Sequence, residues 1–347
     1  MGSCISVTVF TKNLFRMKVL ITGASGFVGA HLVEFAKSIG WEVHAAVRKS
    51  SNVKDIKLFV DKFVYLDQGD FEEVKSLLST ECYDYIIHAA ALTKAKTSEE
   101  LQAVNVGNTE NILKAAFEID HQPKRVVFVS SLAAIGPIAY DAEYDILEDN
   151  SYNPVTSYGR SKRDAELMIK QKFADKPISV FRPTAVYGPK EKDLFILFDT
   201  LNKGLDPYIG RKPQKLSFVY VKDLVRVLVQ GCTVEQVGLQ FYNISDGQAY
   251  TRFAMADIFK DTFPKKPLRL FIPLSVVSAI AKISELLYKN SKHTPTIYPE
   301  RLGELTAANW VCDIRKAVDT LGYLPSYDLT KGLKESLIWY KENNWLK

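Results

Sequence analysis

Tyr158 and Lys162 stand four positions apart in Ser157-Tyr-Gly-Arg-Ser-Lys162. On a helix that spacing puts a phenol and an ammonium on one face, a turn apart. A phenol with an ordinary pKa near 10 is a poor base at neutral pH, and a neighbouring cation lowers that value by stabilising the phenolate. The pair suits proton transfer at an oxygen whose carbon gains or loses a hydride, with Tyr158 as the acid/base and Lys162 as its tuner. Spacing alone does not single it out, because Tyr208/Lys212, Tyr288/Lys292 and Tyr327/Lys331 repeat it. Tyr158 is distinguished by lying 27 residues (131 to 158) after Ser131, which with Ser130 ends the apolar run 126–129. A serine there can hydrogen bond the same substrate oxygen and hold it for reaction. Asn105, in the helix-patterned stretch 101–116, is placed to orient Lys162 directly or through water.

A second motif implies the source of the hydride. Directly after the apolar run 18–22 comes Gly23-Ala24-Ser25-Gly26-Phe27-Val28-Gly29, which opens a helix-patterned segment. Glycines at this spacing allow a tight turn and let backbone amides approach a pyrophosphate, whose charge the helix N-terminus stabilises. The strand-to-helix context marks a dinucleotide site rather than a chance turn. Where NAD-specific sites place an Asp or Glu for the ribose hydroxyls, this chain has Val47-Arg48-Lys49. A guanidinium pairs with a 2′-phosphate that a carboxylate would repel, so Arg48 and Lys49 favour NADP(H) over NAD(H). Asp70, after the third apolar run, is a candidate partner of the adenine amino group or an ordinary turn aspartate.

These residues need elements to position them. Apolar runs at 18–22, 41–47, 63–66, 85–88, 126–130 and 178–181 alternate with helix-patterned stretches. Such alternation predicts an α/β fold, a Rossmann-type doubly wound parallel sheet, because parallel strands require crossovers. Near-continuous Val and Ile content suits strands covered on both faces. Beyond Pro183 the rhythm weakens, although 218–221 and 241–244 still read as returning sheet strands. The organisation expected is therefore residues 17–186 plus 218–247 for the dinucleotide, with a smaller interleaved C-terminal substrate lobe from 187–217 plus 248–347. Residues 1–16 read as an appendage before Met17, disordered or non-native. Their Met-Gly-x-x-x-Ser opening fits an acylation pattern, and they lack the basic start of a signal peptide.

With 47% hydrophobic and 24% charged residues, the chain has globular composition, which excludes disordered and disulfide-scaffold classes. A net charge of +5, without a basic cluster, argues against nucleic acid as a partner. Cys4, Cys82, Cys232 and Cys312 are isolated, and the five histidines, His31, His44, His88, His121 and His293, lie at no ligand spacing; no metal site and a reducing compartment are expected. The apolar segment 271–288, flanked by Lys265, Lys266, Lys289 and Lys292, is interrupted by Lys282 and Glu285. That rules against spanning a membrane and leaves a packed helix of the substrate lobe or an interfacial one.

Several segments together resemble the extended short-chain dehydrogenase/reductases of the NAD(P)-dependent epimerase/dehydratase superfamily, from Met17 to the C-terminus. They are Thr22 to Gly29, His88-Ala-Ala-Ala91, Asn105-Val-Gly-Asn-Thr109, Ser130-Ser131, Tyr158-x-x-x-Lys162 and Arg182-Pro-Thr-Ala-Val-Tyr-Gly-Pro189. The resemblance implies that Gly23, Ser25, Gly26, Phe27, Val28 and Gly29, with Asp70 and Phe71, surround the dinucleotide. Ala89, Ala90 and Ala91 would pass beside it, Tyr158 and Lys162 would reach the nicotinamide ribose, and Pro183 and Val186 would flank the carboxamide. Ser131 rather than Ser130 is the carried-over catalytic serine, because its spacing to Gly136 matches the family. Thr93, Ser131 and Tyr187 are the implied substrate contacts. A cytoplasmic homodimer paired through the helices around 101–117 and 158–173 is also implied.

Sugar-nucleotide members commonly carry an arginine that meets the substrate diphosphate where this chain has Leu216 in Leu216-Ser-Phe-Val-Tyr-Val-Lys-Asp223. Arg211, Lys212 and Lys215 are the nearby cations available to replace it, or else a solvated loop. Leu216 and Arg48 make the chain more similar to the dihydroflavonol-reductase and 3β-hydroxysteroid-dehydrogenase branches, whose small-molecule substrates are apolar alcohols or ketones. In hydroxysteroid relatives the region comparable to 271–288 can be membrane-associated. The expected activity is NADP(H)-dependent interconversion of a secondary alcohol and a ketone on a steroid-like or flavonol-like substrate. The alternatives are an NAD-dependent nucleotide-sugar epimerase or dehydratase, and a cofactor-sensing protein without turnover. The last is disfavoured by the presence of both Tyr158 and Lys162.

Overall fold

The computed structural model describes residues 16–288 and 298–347. The acylation pattern, Cys4, Lys289, Lys292 and His293 lie outside them. Arg16, assigned to the appendage, is held in place: its guanidinium pairs with Asp61 at 3.1 Å and donates to Gly40 O at 2.7 Å.

The central layer is a seven-stranded parallel sheet. It comprises β1 (Lys18–Thr22), β2 (Glu42–Val47), β3 (Lys62–Tyr65), β4 (Tyr85–His88), β5 (Arg125–Val129), β6 (Ile178–Pro183) and a final strand, Gln240–Ile244. The spatial order is Gln240–Ile244, β6, β5, β4, β1, β2, β3. Its direction reverses between β4 and β1, so a crevice opens beyond their C-terminal ends, where such sheets take ligands. The strands other than the edge strand β3, which exposes Lys62 and Tyr65, are almost wholly buried because helices cover both faces. Helices α1 (Phe27–Ser38) and Val221–Thr233 cover one, packing Leu32, Val33, Val225 and Leu228 against Val43, Ile87 and Val127. On the other, α2 (Phe71–Glu81) is followed by α3 (Ser98–Gln102), a π-helical turn Ala103–Gly107, α4 (Asn108–Glu118) and α5 (Ser157–Lys172). Their Leu78, Ile112, Ala116, Ala165 and Ile169 meet Leu20, Ile86, Phe128 and Val180.

Three segments depart from the sequence reading. Trp41 precedes β2 and stacks on Tyr85 at 5.2 Å, filling the sheet's end. Strand Phe218–Tyr220 does not return to the main sheet; it pairs in parallel with Ala185–Tyr187, and Val221 already starts a helix. The segment 271–288 is broken by Pro273, which has no amide hydrogen for a strand or helix ladder. Its first residues finish the strand Leu268–Ile272, paired with Leu205–Ile209, and the rest forms the helix Leu274–Tyr288. Only Val277 and Ala281 of that helix are buried, against Leu302, Ile209 and Ile272, while Ile280, Ile283, Leu286 and Leu287 are exposed. No helix among the described residues is long and apolar enough to cross a membrane.

One buried ion pair joins α5 to β6. The Arg182 guanidinium meets both Glu166 oxygens, with Nη2 to Oε2 at 2.6 Å and Nε to Oε1 at 3.0 Å, and neither side chain has any solvent exposure. The carboxylate also accepts from Ser130 Oγ at 2.5 Å and Tyr152 OH at 2.8 Å, and Arg182 Nη1 donates to Glu148 O at 2.8 Å. Such a pair is tolerable only when saturated in this way, and removing one partner strands the other charge. Arg182→Met should therefore cost about 3–5 kcal/mol of stability. Urea titration of Arg182→Met, Glu166→Leu and the double variant checks this, with the double variant recovering much of the loss.

Candidate active site

β1 runs into a loop that is welded to the end of β4. Gly23 has φ +67°, and a Cβ there would stand 2.7 Å from Ala89 O and Ala90 N; a Cβ on Gly29 would stand 2.1 Å from Gly23 O. No side chain caps α1 at Gly26, and its first turn holds no acidic residue. The free amides of that turn face an exposed loop at Ser25 and Gly26, with Phe27 and Val28 half-buried behind. This cradle fits a dinucleotide pyrophosphate, since amides and helix dipole are both directed at an anion. Ala90 N donates to Thr22 Oγ1 at 3.2 Å, which pairs with His88 Nδ1 at 2.7 Å; His88 Nε2 reaches Thr109 Oγ1 at 2.9 Å. Burial, aided by the nearby Lys162 charge, pushes His88 down to about 3, so this histidine is neutral and ties β1, β4 and α4 together.

At the end of β2 Arg48 and Lys49 are exposed. Among the described residues neither side chain makes an ion pair, which leaves both cations available to a phosphate. Asp70 is the N-cap of α2: Oδ1 accepts from Glu72 N at 3.0 Å and Glu73 N at 3.1 Å, the ordinary turn role among its two readings. Phe71 opens that helix with Lys114 Nζ 4.3 Å from its ring centre.

The helix α5 starts at an N-cap, Thr156, whose hydroxyl accepts from Gly159 N at 3.0 Å. A Cβ on Gly159 would lie 2.4 Å from Ala133 O, so glycine lets the first turn of α5 press against the short turn Leu132–Ala134. That contact brings Tyr158 to Ser131. The serine pair then divides: Ser130 turns to Glu166 in the core, whereas Ser131 caps the short turn, accepting from Ala133 N at 3.2 Å, and lines a cavity. Burial pushes the Tyr158 phenol up to about 12, against a hydrogen bond with Ser131 that favours ionisation; the Glu304 charge adds to the rise. Lys162 is also buried, and desolvation pushes it down to about 7 while the Glu166 carboxylate opposes the fall. Its Nζ donates to Val129 O at 2.8 Å and lies 4.7 Å from the Phe128 ring centre. The lowered phenol expected from the sequence is thus not what this arrangement produces, because Lys162 is engaged with β5 and desolvation dominates both groups.

Asn105 requires a second correction. It sits on the π-helical turn and is fully buried, but its amide does not bond Lys162. Oδ1 accepts from Leu92 N at 2.8 Å, and Nδ2 donates to Leu92 O at 2.9 Å and Ser161 Oγ at 2.9 Å. It clamps the loop after β4 to α5 beside the lysine.

The cavity past Ser131 has a volume of about 480 Å³. Leu132, Leu197, Ile209, Leu216, Phe218 and Met255 form much of its wall, with Pro183 and Thr184 on the sheet side. Tyr187 does not reach it: that phenol is buried among Phe218 and Tyr220, donating to Asp328 O at 3.1 Å, so its implied substrate role is corrected to core packing. Thr93 is exposed on the loop after β4 and does not line the cavity either. Of the cations proposed to replace a missing clamp, Arg211 lies on Phe271 and Lys215 on Tyr140. The cavity instead receives Arg252 and Arg301, with Glu304, none of which the sequence singled out. Glu166 had a legible signal, one helical turn beyond Lys162. Arg301 and Glu304 had none, since they enter on a seven-residue helix, Pro299–Leu305, remote in sequence from every motif.

The chain belongs to the NAD dependent epimerase/dehydratase family, whose profile matches residues 19–245. It is similar to UDP-glucose 4-epimerase of Vibrio cholerae, 28% identical over 92% of this chain and 94% of the relative. It is also similar to ceramide reductase of Caulobacter vibrioides, 25% identical over 95% and 96%, and to sterol-4-alpha-carboxylate 3-dehydrogenase of Candida albicans, 24% identical over 94% and 98%. The fold matches that of UDP-glucose 4-epimerase of Thermotoga maritima, solved with UDP-glucose, at a TM-score of 0.75 and 20% identity, over 94% of this chain and all of that one. Family and relatives make the chain an NAD(P)-dependent enzyme of the extended short-chain type.

The lowered Lys162 value makes a stability prediction. Between about 7, folded, and the ordinary 10.5, unfolded, the unfolded chain keeps a proton that the folded chain has lost. Stability therefore rises with pH across this window, and below it the full penalty of burying an ammonium is present. Lys162→Met should be more resistant to urea than the parent at pH 6–7, with the advantage shrinking as pH approaches about 10. Chemical denaturation at several pH values reads this directly.

Proposed function

We propose that the chain is an NADP(H)-dependent oxidoreductase that interconverts a secondary alcohol and a ketone on an apolar, non-nucleotide substrate. The observation carrying this reading is the cavity beyond Ser131, walled largely by apolar side chains, among them Leu216, which the resemblance aligns with the diphosphate-binding arginine of sugar-nucleotide members. Ser131 holds the carbonyl oxygen, and Tyr158 gives it a proton. A phenol pushed up to about 12 is protonated at neutral pH, the form that serves ketone reduction. Lys162 stands a turn away to compensate the phenolate that forms. Pro183 and Val186 would hold the nicotinamide ring, which would supply the hydride when bound. The glycine cradle with Ala89 to Ala91 would take the dinucleotide, Phe71 beside the N-cap Asp70 would border its adenosine, and Arg48 and Lys49 would bind its 2′-phosphate. Similarity to a ceramide reductase and a sterol dehydrogenase supports a lipid-like, steroid-like or flavonol-like body for the substrate.

We assign residues 17–186 plus 218–247 to the dinucleotide-binding part and 187–217 plus 248–347 to the substrate lobe. The protein acts as a homodimer paired through α4 and α5, in the cytoplasm, where free Cys82, Cys232 and Cys312 suit a reducing environment. The exposed apolar row on Leu274–Tyr288, whose inner face packs on the cavity residue Ile209, supports interfacial contact with lipid. A second reading, nucleotide-sugar epimerisation or dehydration with NAD, is favoured by Arg252 and Arg301 in the cavity, since guanidinium groups suit a diphosphate.

Fluorescence titration with NADPH and NADH separates the two. The parent should prefer NADPH by about tenfold or more, and Arg48→Asp should reverse the preference, as one charge-assisted pair is worth roughly that much. Tyr158→Phe should bind NADPH normally and lose at least about 100-fold in turnover of a reducible ketone. Tighter NADH binding by the parent would favour the second reading.

A further inference from the structure

Ser157 opens α5, one residue before Tyr158. The first amides of a helix have no partner within it and must find one elsewhere. Thr156 Oγ1 takes Gly159 N, whereas Ser157 N donates to Glu300 Oε2 at 2.9 Å, a carboxylate 143 positions away on the helix Pro299–Leu305. Glu300 Oε1 accepts from Ser157 Oγ at 2.8 Å and from Arg160 Nη2 at 2.5 Å. One carboxylate thus grips residues 157 and 160, which bracket Tyr158. Desolvation would raise the Glu300 carboxyl, but the hydrogen bonds from Ser157 and the Arg160 cation hold it below the usual range, so it is ionised at neutral pH. An anion there also suits the dipole of α5. The ion pair with Arg160 is 40% and 41% exposed, where such pairs contribute little, so the contacts with the Ser157 amide and hydroxyl carry the effect. The helix Pro299–Leu305 lies along the chain leading into α5, since a Cβ on Gly303 would meet Val155 O at 3.7 Å, and its Arg301 and Glu304 line the cavity. An element that walls the cavity is therefore joined to the first turn of the helix that carries the phenol.

We propose that Glu300 is a positioning residue for Tyr158: by capping the Ser157 amide from the substrate lobe, it sets the first turn of α5 and so the aim of the phenol at the oxygen held by Ser131. This rests on the ketone-reductase reading for the acid/base role of Tyr158 and adds the residue that keeps it aimed. Glu300 touches no reacting atom and passes no proton. It acts because small misplacements of a reacting group cost large factors in rate.

The test uses the full chain labelled with 3-fluorotyrosine, the Tyr158 signal being identified by its absence from Tyr158→Phe. Glu300→Ala should shift or broaden that signal. Glu300→Gln, whose amide oxygen still caps Ser157 N but forms no ion pair with Arg160, should restore it. With NADPH and 2-dodecanone, Glu300→Ala should lower kcat by about tenfold or more with KM within about twofold, and Glu300→Gln should recover most of the loss. An unmoved Tyr158 signal in Glu300→Ala would overturn the proposal. So would an unchanged kcat, or Glu300→Gln behaving like Glu300→Ala, which would assign Glu300 to ion-pair anchoring of the lobe. A ketone that the parent does not reduce would remove the reductase reading, and the fluorine signal would still decide the positioning role, so the two fail separately.

Discussion

The buried Arg182–Glu166 pair is the constraint around which the site is built. Glu166 lies one turn beyond Lys162 on α5, and Arg182 immediately precedes Pro183 and Thr184 on β6. Ser130, on the same carboxylate, is the neighbour of Ser131. One saturated ionic contact thus ties together the acid/base helix, the carbonyl-anchoring serine and the strand end that walls the cavity. An apolar contact of similar size would bury these elements equally well, but it would not fix their register, because hydrophobic attraction has no direction. Bidentate guanidinium–carboxylate geometry does have one.

Desolvation is the common cause of the site's electrostatics. It drives the Tyr158 phenol up, Lys162 down and His88 further down, so all three tend toward neutrality in the absence of strong counter-charges. Poor hydration around such groups strengthens each interaction with charge that develops during reaction. Burial of the Lys162 ammonium opposes folding, and such local conflict between folding and function is the expected mark of an active site.

Much of this could be read from residue order. Continuous Val and Ile runs gave away six strands because parallel strands buried on both faces need them. The glycine loop was legible because two of its three glycines, Gly23 and Gly29, are demanded by backbone contacts at 2.1–2.8 Å, which no other residue type permits. What escaped depends on three-dimensional bookkeeping. The Asn105 amide makes no direct bond to Lys162 because Leu92 and Ser161 occupy it, partners that periodicity cannot reveal. Tyr187 was misplaced because its strand pairs outside the main sheet and directs it into the apolar cluster around Phe218 and Tyr220. Arg252 and Arg301 acquire meaning only from a cavity assembled from five or more separate segments.

The central claim is that hydride passes net from the dinucleotide to the carbonyl carbon of an apolar ketone rather than being returned to the dinucleotide within one turnover. Incubating the protein with NADPH deuterated at the transferable position, in the presence of a mixed lipid extract or of mixed nucleotide sugars, and following products by mass spectrometry tests this most directly. The account predicts stoichiometric cofactor oxidation and one deuterium on the carbon of a new secondary alcohol in the lipid fraction. Altered nucleotide sugars without net cofactor oxidation would contradict it.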